Sequence, residues 1–451
     1  MLVTMHDEVL RVCEAVRAAG GRAMLVGGWV RDRLLGHDSK DYDLEVYAVE
    51  PEALRAILKT FGRVNTVGEH FAVYKLVCAA SGERLEIDVS IPRRESKSGR
   101  GHRGFTIEGD PRMSFEEAAR RRDFTINAIL YDPLTKEFID PYGGINDLRQ
   151  KRLRAVAAET FVEDSLRVLR AVQFAARFEM TVGRETAALC RTIDLADLPH
   201  ERVWGEVEKL LLMSARPAIG LDVALELGVL DKLFPELRAL VGSHLEEQTA
   251  TASADESFED DFTHTKRAFD HAARLTEDLD RPRRVTVMLA TLCHVPGESA
   301  ALAVMRRLGL YTLLGYNVRA EALALLREQT RPAEFYARRE QATDGDLRRL
   351  ARHVEIDLLY RLVKACALAH VTAAEPAGQA ADWFIERARR LGVEHGPPAP
   401  LLLGRHLIEM GVAPGPAMGR QLRDVYELQL DGEVTTLDEA RAAARRLLDA
   451  G

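Results

Sequence analysis

Asp41 and Asp43 stand one residue apart, just downstream of Gly27-Gly28-Trp29-Val30-Arg31-Asp32, and this pairing narrows the chemistry open to the chain. The apolar run Ala23-Met24-Leu25-Val26 predicts a strand, and the glycine pair opens a helix-compatible run, Val30 to Leu35. A Gly-Gly turn lets backbone N–H groups approach a phosphate with no Cβ in the way. A helix N-terminus behind it adds positive dipole, and Arg31 adds a fork of donors, so Gly27, Gly28 and Arg31 are candidate phosphate ligands. The run Asp41-Tyr42-Asp43-Leu44-Glu45-Val46-Tyr47 alternates with period two, which as a strand points Asp41, Asp43 and Glu45 to one face. Adjacent carboxylates repel, and a pair of divalent ions steering an in-line phosphoryl displacement is the natural counter-charge. Asp-x-Asp alone fits a solvated strand edge equally well; the upstream Gly-Gly-x-Val-Arg-Asp tips the balance toward chemistry.

A third carboxylate strengthens that reading. Tyr74–Cys78 and Arg84–Ile91 predict a hairpin around Ala79-Ala80-Ser81-Gly82-Glu83. In its second strand Leu85, Ile87, Val89 and Ile91 face a core, which leaves Glu86, Asp88 and Ser90 on the other side. Asp88, favoured over Glu86, would complete the acidic set, as a ligand of the metal nearest the attacking hydroxyl or as its base.

The elements that must position these residues change character along the chain. Residues 1 to 145 mix helices (Asp7–Ala19, Pro51–Thr60) with strands, whereas beyond Asp140-Pro141-Tyr142-Gly143-Gly144 the periodicity is helical, as in Glu163–Phe178 and Glu201–Met213. The simplest architecture is a small α/β head, residues 1 to about 145, on a long helical body. A length of 451 residues, 47% hydrophobic and 29% charged, suits a soluble chain of several domains. No apolar run approaches a membrane span, the N-terminus lacks a signal-peptide pattern, and no obligate protein partner is evident. Five dispersed cysteines without a C-x-x-C point to reduced thiols and a cytoplasmic location. The net charge of −8 disfavours a general nucleic-acid binder, but its distribution matters more. Arg93 to Arg122 holds nine Lys/Arg against five acids, while Glu246 to Asp261 holds seven acids and no base and reads as a flexible surface loop.

Three further segments carry candidate chemistry. Arg93 to Gly104 is too rich in glycine and charge for regular structure, and reads as a basic loop able to close over a nucleotide or RNA end. On a helix or its start, Arg122, Asp123 and Asn127 would reach a ribose hydroxyl. Asp164 and Arg167, with Glu163 or Arg170, share a helical face at i, i+3 spacing; a surface ion pair is the plain reading. The alternative is that Asp164 and Arg167 present acceptor and donors to a base edge, a pattern that fits CTP and ATP and rejects UTP and GTP.

In this order the motifs resemble those of the class II tRNA nucleotidyltransferases, the CCA-adding enzymes of bacteria and eukaryotes, and their poly(A) polymerase relatives. The resemblance runs from about Ala23 to Phe234. It rests on Leu25-Val26-Gly27-Gly28-Trp29-Val30-Arg31-Asp32, Lys40-Asp41-Tyr42-Asp43, Arg121-Arg122-Asp123-Phe124-Thr125-Ile126-Asn127-Ala128, Asp140-Pro141-Tyr142-Gly143-Gly144, Glu163-Asp164-x-x-Arg167 and Glu201-Arg202-Val203-Trp204. It implies a fold of an α+β, polymerase-β-like head (1–145) followed by an all-α neck (146–240), body (241–375) and tail (376–451), with Mg²⁺ on Asp41 and Asp43, ribose contacts from Arg122 and Asp123, and an Asp164–Arg167 protein template for C or A. It adds Arg170 to the candidate phosphate ligands, and names ATP, CTP and the tRNA 3′ acceptor end as partners. The expected activity is template-independent CCA addition. Alternatives are A-only or CC-only addition, a poly(A) polymerase, and a non-catalytic RNA-binding protein. A basic loop among residues 93–118 argues against CC-only addition, and Gly68-Glu69-His70-Phe71 departs from the Gly-Arg-Arg-Phe-type stretch of bacterial poly(A) polymerases. Gly404-Arg405-His406-Leu407 and Gly411–Gly419 resemble part of the family's C-terminal region, with glycine turns suited to an RNA phosphate. The departure lies in the body: many bacterial relatives carry an HD phosphohydrolase module, but here Cys293-His294-Val295 places valine where a metal-binding aspartate belongs. A helical remnant without phosphatase or phosphodiesterase activity is expected.

Overall fold

The computed structural model describes residues 5–66, 73–80, 83–97, 105–243, 260–370 and 374–449. The chain packs as two compact units, residues 1–206 with 222–232 and residues 207–221 with 233–451, a coarser division than the four segments read from sequence.

The first unit begins with helix α1 (Asp7–Ala18), strand β1 (Arg22–Val26), helix α2 (Gly28–Leu34), strand β2 (Tyr42–Tyr47) and helix α3 (Pro51–Lys59). Strands β3 (Arg63–Thr66), β4 (Val73–Ala80), β5 (Glu83–Ser90), β6 (Arg93–Lys97) and β7 (Phe105–Gly109) follow, then helix α4 (Phe115–Arg120) and strands β8 (Leu130–Asp132) and β9 (Glu137–Ile139). Seven of these strands form one sheet in the order β3-β4-β5-β2-β1-β8-β9. Only β2 and β5 run parallel, and that pair carries the acidic residues. The alternation read from sequence holds on β5: Leu85, Ile87 and Val89 are buried while Glu86 and Asp88 are exposed. Leu44, Val46, Leu76, Ile87 and Val89 make the apolar side of the sheet, and α1 and α3 bury Val9, Val12, Leu54 and Leu58 beside it. The opposite face carries Asp43 and Asp88 on the β2–β5 pair, while Met24, Val26 and Tyr47 on that same face are covered by Met113, Ala118 and Ala119.

Several expectations are corrected. The basic stretch at 93–104 is not irregular throughout, because Arg93–Lys97 pairs antiparallel with Phe105–Gly109; cross-strand hydrogen bonds that composition does not reveal give it a ladder. Residues 98–104 at its tip, Gly68–Phe71, and residues 244–259 of the acidic stretch lie outside the described residues. That stretch ends in structure: Asp260 caps the helix Asp261–Leu275, accepting from Thr263 N at 2.9 Å.

After β9 come helices α5 (Gly144–Arg149), α6 (Ala158–Phe161), α7 (Leu166–Phe178), α8 (Arg184–Thr192) and α9 (His200–Met213). Gly144 allows a close approach, since a Cβ there would lie 2.1 Å from the Thr125 carbonyl oxygen. The second unit is helical among its described residues. Its tail has a small core of its own, in which Leu402, Leu407, Met418, Val425 and Val434 pack with Ala440, Ala443 and Ala444.

Candidate active site

The acidic face is assembled by strand register. In the parallel β2–β5 pair Asp43 lies opposite Asp88, and Asp41 immediately precedes β2. Glu86 is one step removed: it pairs with Arg84 at 2.5 Å and with Lys75 at 3.2 Å. Lys75 also lies opposite Asp88 across β4–β5 and reaches it at 3.4 Å. The Asp43 carboxyl is pushed up to about 6, first by desolvation and then by Asp88 and Asp41, with Arg122 and Lys75 opposing. Among the described residues no cluster of three or more His, Cys, Asp or Glu stands ready to enclose a metal ion. The donor set nevertheless suits a hard divalent cation: oxygen ligands only, crowded enough that one resists ionisation.

Gly27 lies against this face. Its φ of +67° is in the region that favours glycine, and a Cβ there would sit 3.4 Å from Arg122 Nη1 and 3.7 Å from an Asp43 carboxylate oxygen. Gly27, Asp43 and Arg122 therefore share one spot. Gly28 opens α2 directly behind them.

Arg31 is turned inward. It is 5% exposed, bonds Asp32 through Nε at 2.8 Å and Asn127 Oδ1 through Nη1 at 2.8 Å, and lies over the Phe178 ring at 4.5 Å. Asn127 donates to Asp123 Oδ1 at 3.0 Å, and Asp123 also accepts from Phe124 N and, at 2.6 Å, from Arg170 Nε. Burial would raise the Asp123 carboxyl, but Arg170 and these hydrogen bonds outweigh it and hold it below its ordinary value. Arg170 approaches Glu206 at 3.8 Å. Arg31, Asn127, Asp123 and Arg170 thus form a continuous buried chain linking α2 to α7.

Arg122 and Asp123 lie between two helical segments, and Asn127 is on the second. α4 ends at Arg120, and Asn127 closes a short 3-10 turn, Thr125–Asn127, so the group is held by its own hydrogen bonds. Asp164 and Arg167 do not share a helical face, because α7 begins only at Leu166. Asp164, a residue type that competes for backbone donors, accepts from Leu166 N at 3.1 Å and pairs with Arg202 at 3.0 Å. Arg167 donates to the carbonyls of Thr160 and Arg121.

Glu45, Tyr47 and Arg121 were not identified as site residues. The two-residue spacing put Glu45 on the face of Asp43, but nothing in the sequence marks it as buried. Its side chain is 1% exposed and bonds Tyr47 Oη at 2.7 Å and Arg121 Nη2 at 3.0 Å.

In the second unit the His264 ring lies tilted against that of His294, with 5.2 Å between centroids and 52° between planes, and against that of His370 at 4.3 Å and 41°. Burial, then the neighbouring rings and Arg267, bring His264 down to about 3. Burial also brings His294 down to about 4, although its Nδ1 lies 2.6 Å from the Thr291 carbonyl.

Residues 23–154 match the poly(A) polymerase head domain, and residues 180–240 match the probable RNA- and SrmB-binding site of polymerase A. A multifunctional CCA protein of Stenotrophomonas maltophilia is 44% identical over 225 residues, 48% of this chain and 52% of that protein. One from Mannheimia succiniciproducens is 38% identical over 282 residues, 61% of this chain and 62% of that protein. The chain thus spans about half to three-fifths of the length of these relatives. The fold is similar to that of the Bacillus stearothermophilus CCA-adding enzyme in complex with CTP: TM-score 0.66, 24% identity, 98% of each chain covered. It is also similar to that of the Thermotoga maritima CCA-adding enzyme complexed with tRNA, with TM-score 0.63, 19% identity, and 98% of this chain and 96% of that one covered.

Proposed function

We propose that this chain, whose residues 23–154 match a poly(A) polymerase head domain and 180–240 an RNA-binding region, is a class II tRNA nucleotidyltransferase that adds C, C and A to the 3′ end of tRNA, using CTP and ATP. The observation that carries the reading is the parallel register setting Asp43 beside Asp88, with Gly27 and Arg122 against the same carboxylate. The tRNA 3′ hydroxyl attacks the α-phosphate and pyrophosphate leaves. Asp41 and Asp43 would hold Mg²⁺, which supplies charge neutralisation for the triphosphate and a lower pKa for the attacking hydroxyl. Asp88 faces the same side, placed to ligate or to accept the hydroxyl proton.

The protein's own share is positioning. Gly27 and Gly28 let the triphosphate approach the backbone, and Arg122 offers its guanidinium to phosphate or ribose. Asp123 and Asn127 hold Arg31 and Arg170 in the wall of the site. Asp164 and Arg167 would read the base edge by exchanging their present partners, Arg202 and the Thr160 and Arg121 carbonyls, for the incoming C or A. The helical regions would recognise the acceptor stem by shape and phosphate contacts. Five cysteines free of disulfides fit a cytoplasmic location. The histidine-bearing helices act as a body without phosphohydrolase activity.

Incubation with Mg²⁺, labelled nucleotides and tRNAs lacking CCA, CA or A tests the reading. Incorporation of CTP and ATP stopping at CCA supports it. ATP incorporation only on the CC-ended tRNA identifies an A-adding enzyme, long A tails on any RNA a polymerase, and silence on all three a binding protein.

A further inference from the structure

Glu45 is a buried carboxylate two residues from Asp43 on the same face of β2, and the reaction outlined above makes no use of it. A buried glutamate is costly unless paired and hydrogen-bonded, so what it holds is informative. Three groups face it: Tyr47 Oη donates at 2.7 Å, Arg121 Nη2 at 3.0 Å, and Arg122 Nη2 lies at 3.6 Å. Arg122 and Arg121 outweigh burial and hold the carboxyl below its ordinary value.

The two arginines sit where no helix fixes them, past the end of α4. Beyond Glu45, Arg122 has a long bond from Nη1 to the Asn127 carbonyl at 3.4 Å. The Arg122 side chain as a whole is one-fifth exposed, and its Nη1 lies against Gly27 on the Asp43 side. The Arg121 carbonyl in turn accepts from Arg167. One buried carboxylate therefore fixes a segment that presents Arg122 to the acidic face and anchors Arg167 on the neck side.

The geometry points to Glu45, supported by Tyr47, as the positioning residue that sets nucleotide affinity by locking Arg122 beside Gly27. This rests on the nucleotidyl-transfer reading above. The Glu45 carboxylate is buried and engaged by Tyr47, Arg121 and Arg122, so it acts through Arg122, and its removal raises the nucleotide KM and leaves kcat little changed.

The test is steady-state transfer to CC-ended and C-ended tRNA by wild type, Glu45→Gln, Tyr47→Phe, Arg122→Ala and the Glu45→Gln/Arg122→Ala double variant, with melting curves to establish folding. Glu45→Gln is expected to raise the KM for both CTP and ATP by about tenfold, and Tyr47→Phe by less, while the double variant is no worse than Arg122→Ala. A folded Glu45→Gln enzyme with wild-type KM overturns the inference, as does full additivity with Arg122→Ala. If Glu45→Gln does not fold, Tyr47→Phe decides, and an unchanged KM there overturns it. A wild-type protein that transfers nothing to any tRNA overturns the transfer reading itself, an outcome distinct from an active enzyme indifferent to Glu45.

Discussion

The acidic face of the first unit and the histidine cluster of the second are both crowded with titratable groups, and they resolve the crowding in opposite ways. At the start of β2 and on β5, Asp41, Asp43 and Asp88 are brought together with Arg122 and Lys75 in partial opposition, and Asp43 is driven up to about 6. In the helical unit burial drives His264 and His294 down to about 3 and 4, and the His264 ring packs tilted against those of His294 and His370. The first arrangement stores unneutralised negative charge that a cation would relieve. The second disfavours charge on His264 and His294, and the residue that follows His294 is a valine, Val295. Chemistry belongs to the region whose electrostatics are incomplete without a ligand.

The largest test of that contrast is Asp43→Ala. Losing a carboxylate that the reading assigns to the metal should cut nucleotide incorporation on the order of 10³-fold, with tRNA binding retained, as several kcal/mol of charge stabilisation disappears. By contrast, His294→Ala should leave incorporation near wild type. Comparable losses in both variants would erase the distinction between the regions.

Second in size is nucleotide choice. Arg167→Ala removes the donors proposed to read the base and should let UTP or GTP compete, a relaxation of about 10- to 100-fold in relative kcat/KM. Because Arg167 also bonds the Thr160 and Arg121 carbonyls, kcat should fall as well. An unchanged preference for CTP and ATP overturns the templating role.

A third test reads stability. The folded-state pKa of Asp43 lies above its ordinary 3.8, so the stability this group contributes is complete below 3.8 and is lost as pH rises through about 6. Above that pH the ionised carboxylate works against the fold. Asp43→Asn should therefore melt a few degrees higher than wild type at pH 7.5, and the advantage should vanish near pH 4. Added Mg²⁺ should raise the wild-type melting temperature at pH 7.5 and leave Asp43→Asn unmoved. Equal melting temperatures at pH 7.5 would mean that the carboxylates are not in conflict.

How far the site was legible follows the range of the forces involved. Alternation on β2 and β5 is local, so Asp43 and Asp88 could be placed on a polar face from sequence, and the register then set them side by side. The Gly27 turn was legible for the same reason. Arg31 and Asp123 were expected to face a ligand, yet their polar groups are engaged in a buried chain through Asn127; long-range hydrogen bonds of this kind leave no periodic trace. Asp164 looked helical by spacing because a three-residue offset does not distinguish a helix from the turn before it. Glu45 could be assigned a face but not a burial, since what covers it comes from Arg121 and Arg122, some 76 residues on.

The last test lies in the histidine cluster and reads stability alone. His264 has a folded-state pKa of about 3 against an ordinary 6.5, so the stability it contributes is whole above 6.5 and is lost as pH falls toward 3 while the unfolded chain takes up protons. The slope is limited to about 1.4 kcal/mol per pH unit for one histidine, and His294 adds its own between 6.5 and about 4. His264→Phe keeps an aromatic ring against His294 and His370 but has no proton to bind. Between pH 6.5 and 4.5 its melting temperature should therefore fall less steeply than that of wild type, whatever the offset at pH 7.5. Parallel curves would show that these rings take up protons while folded. The second region would then be charged like the first, and the contrast drawn between a face awaiting a cation and a cluster that has done without one would fail.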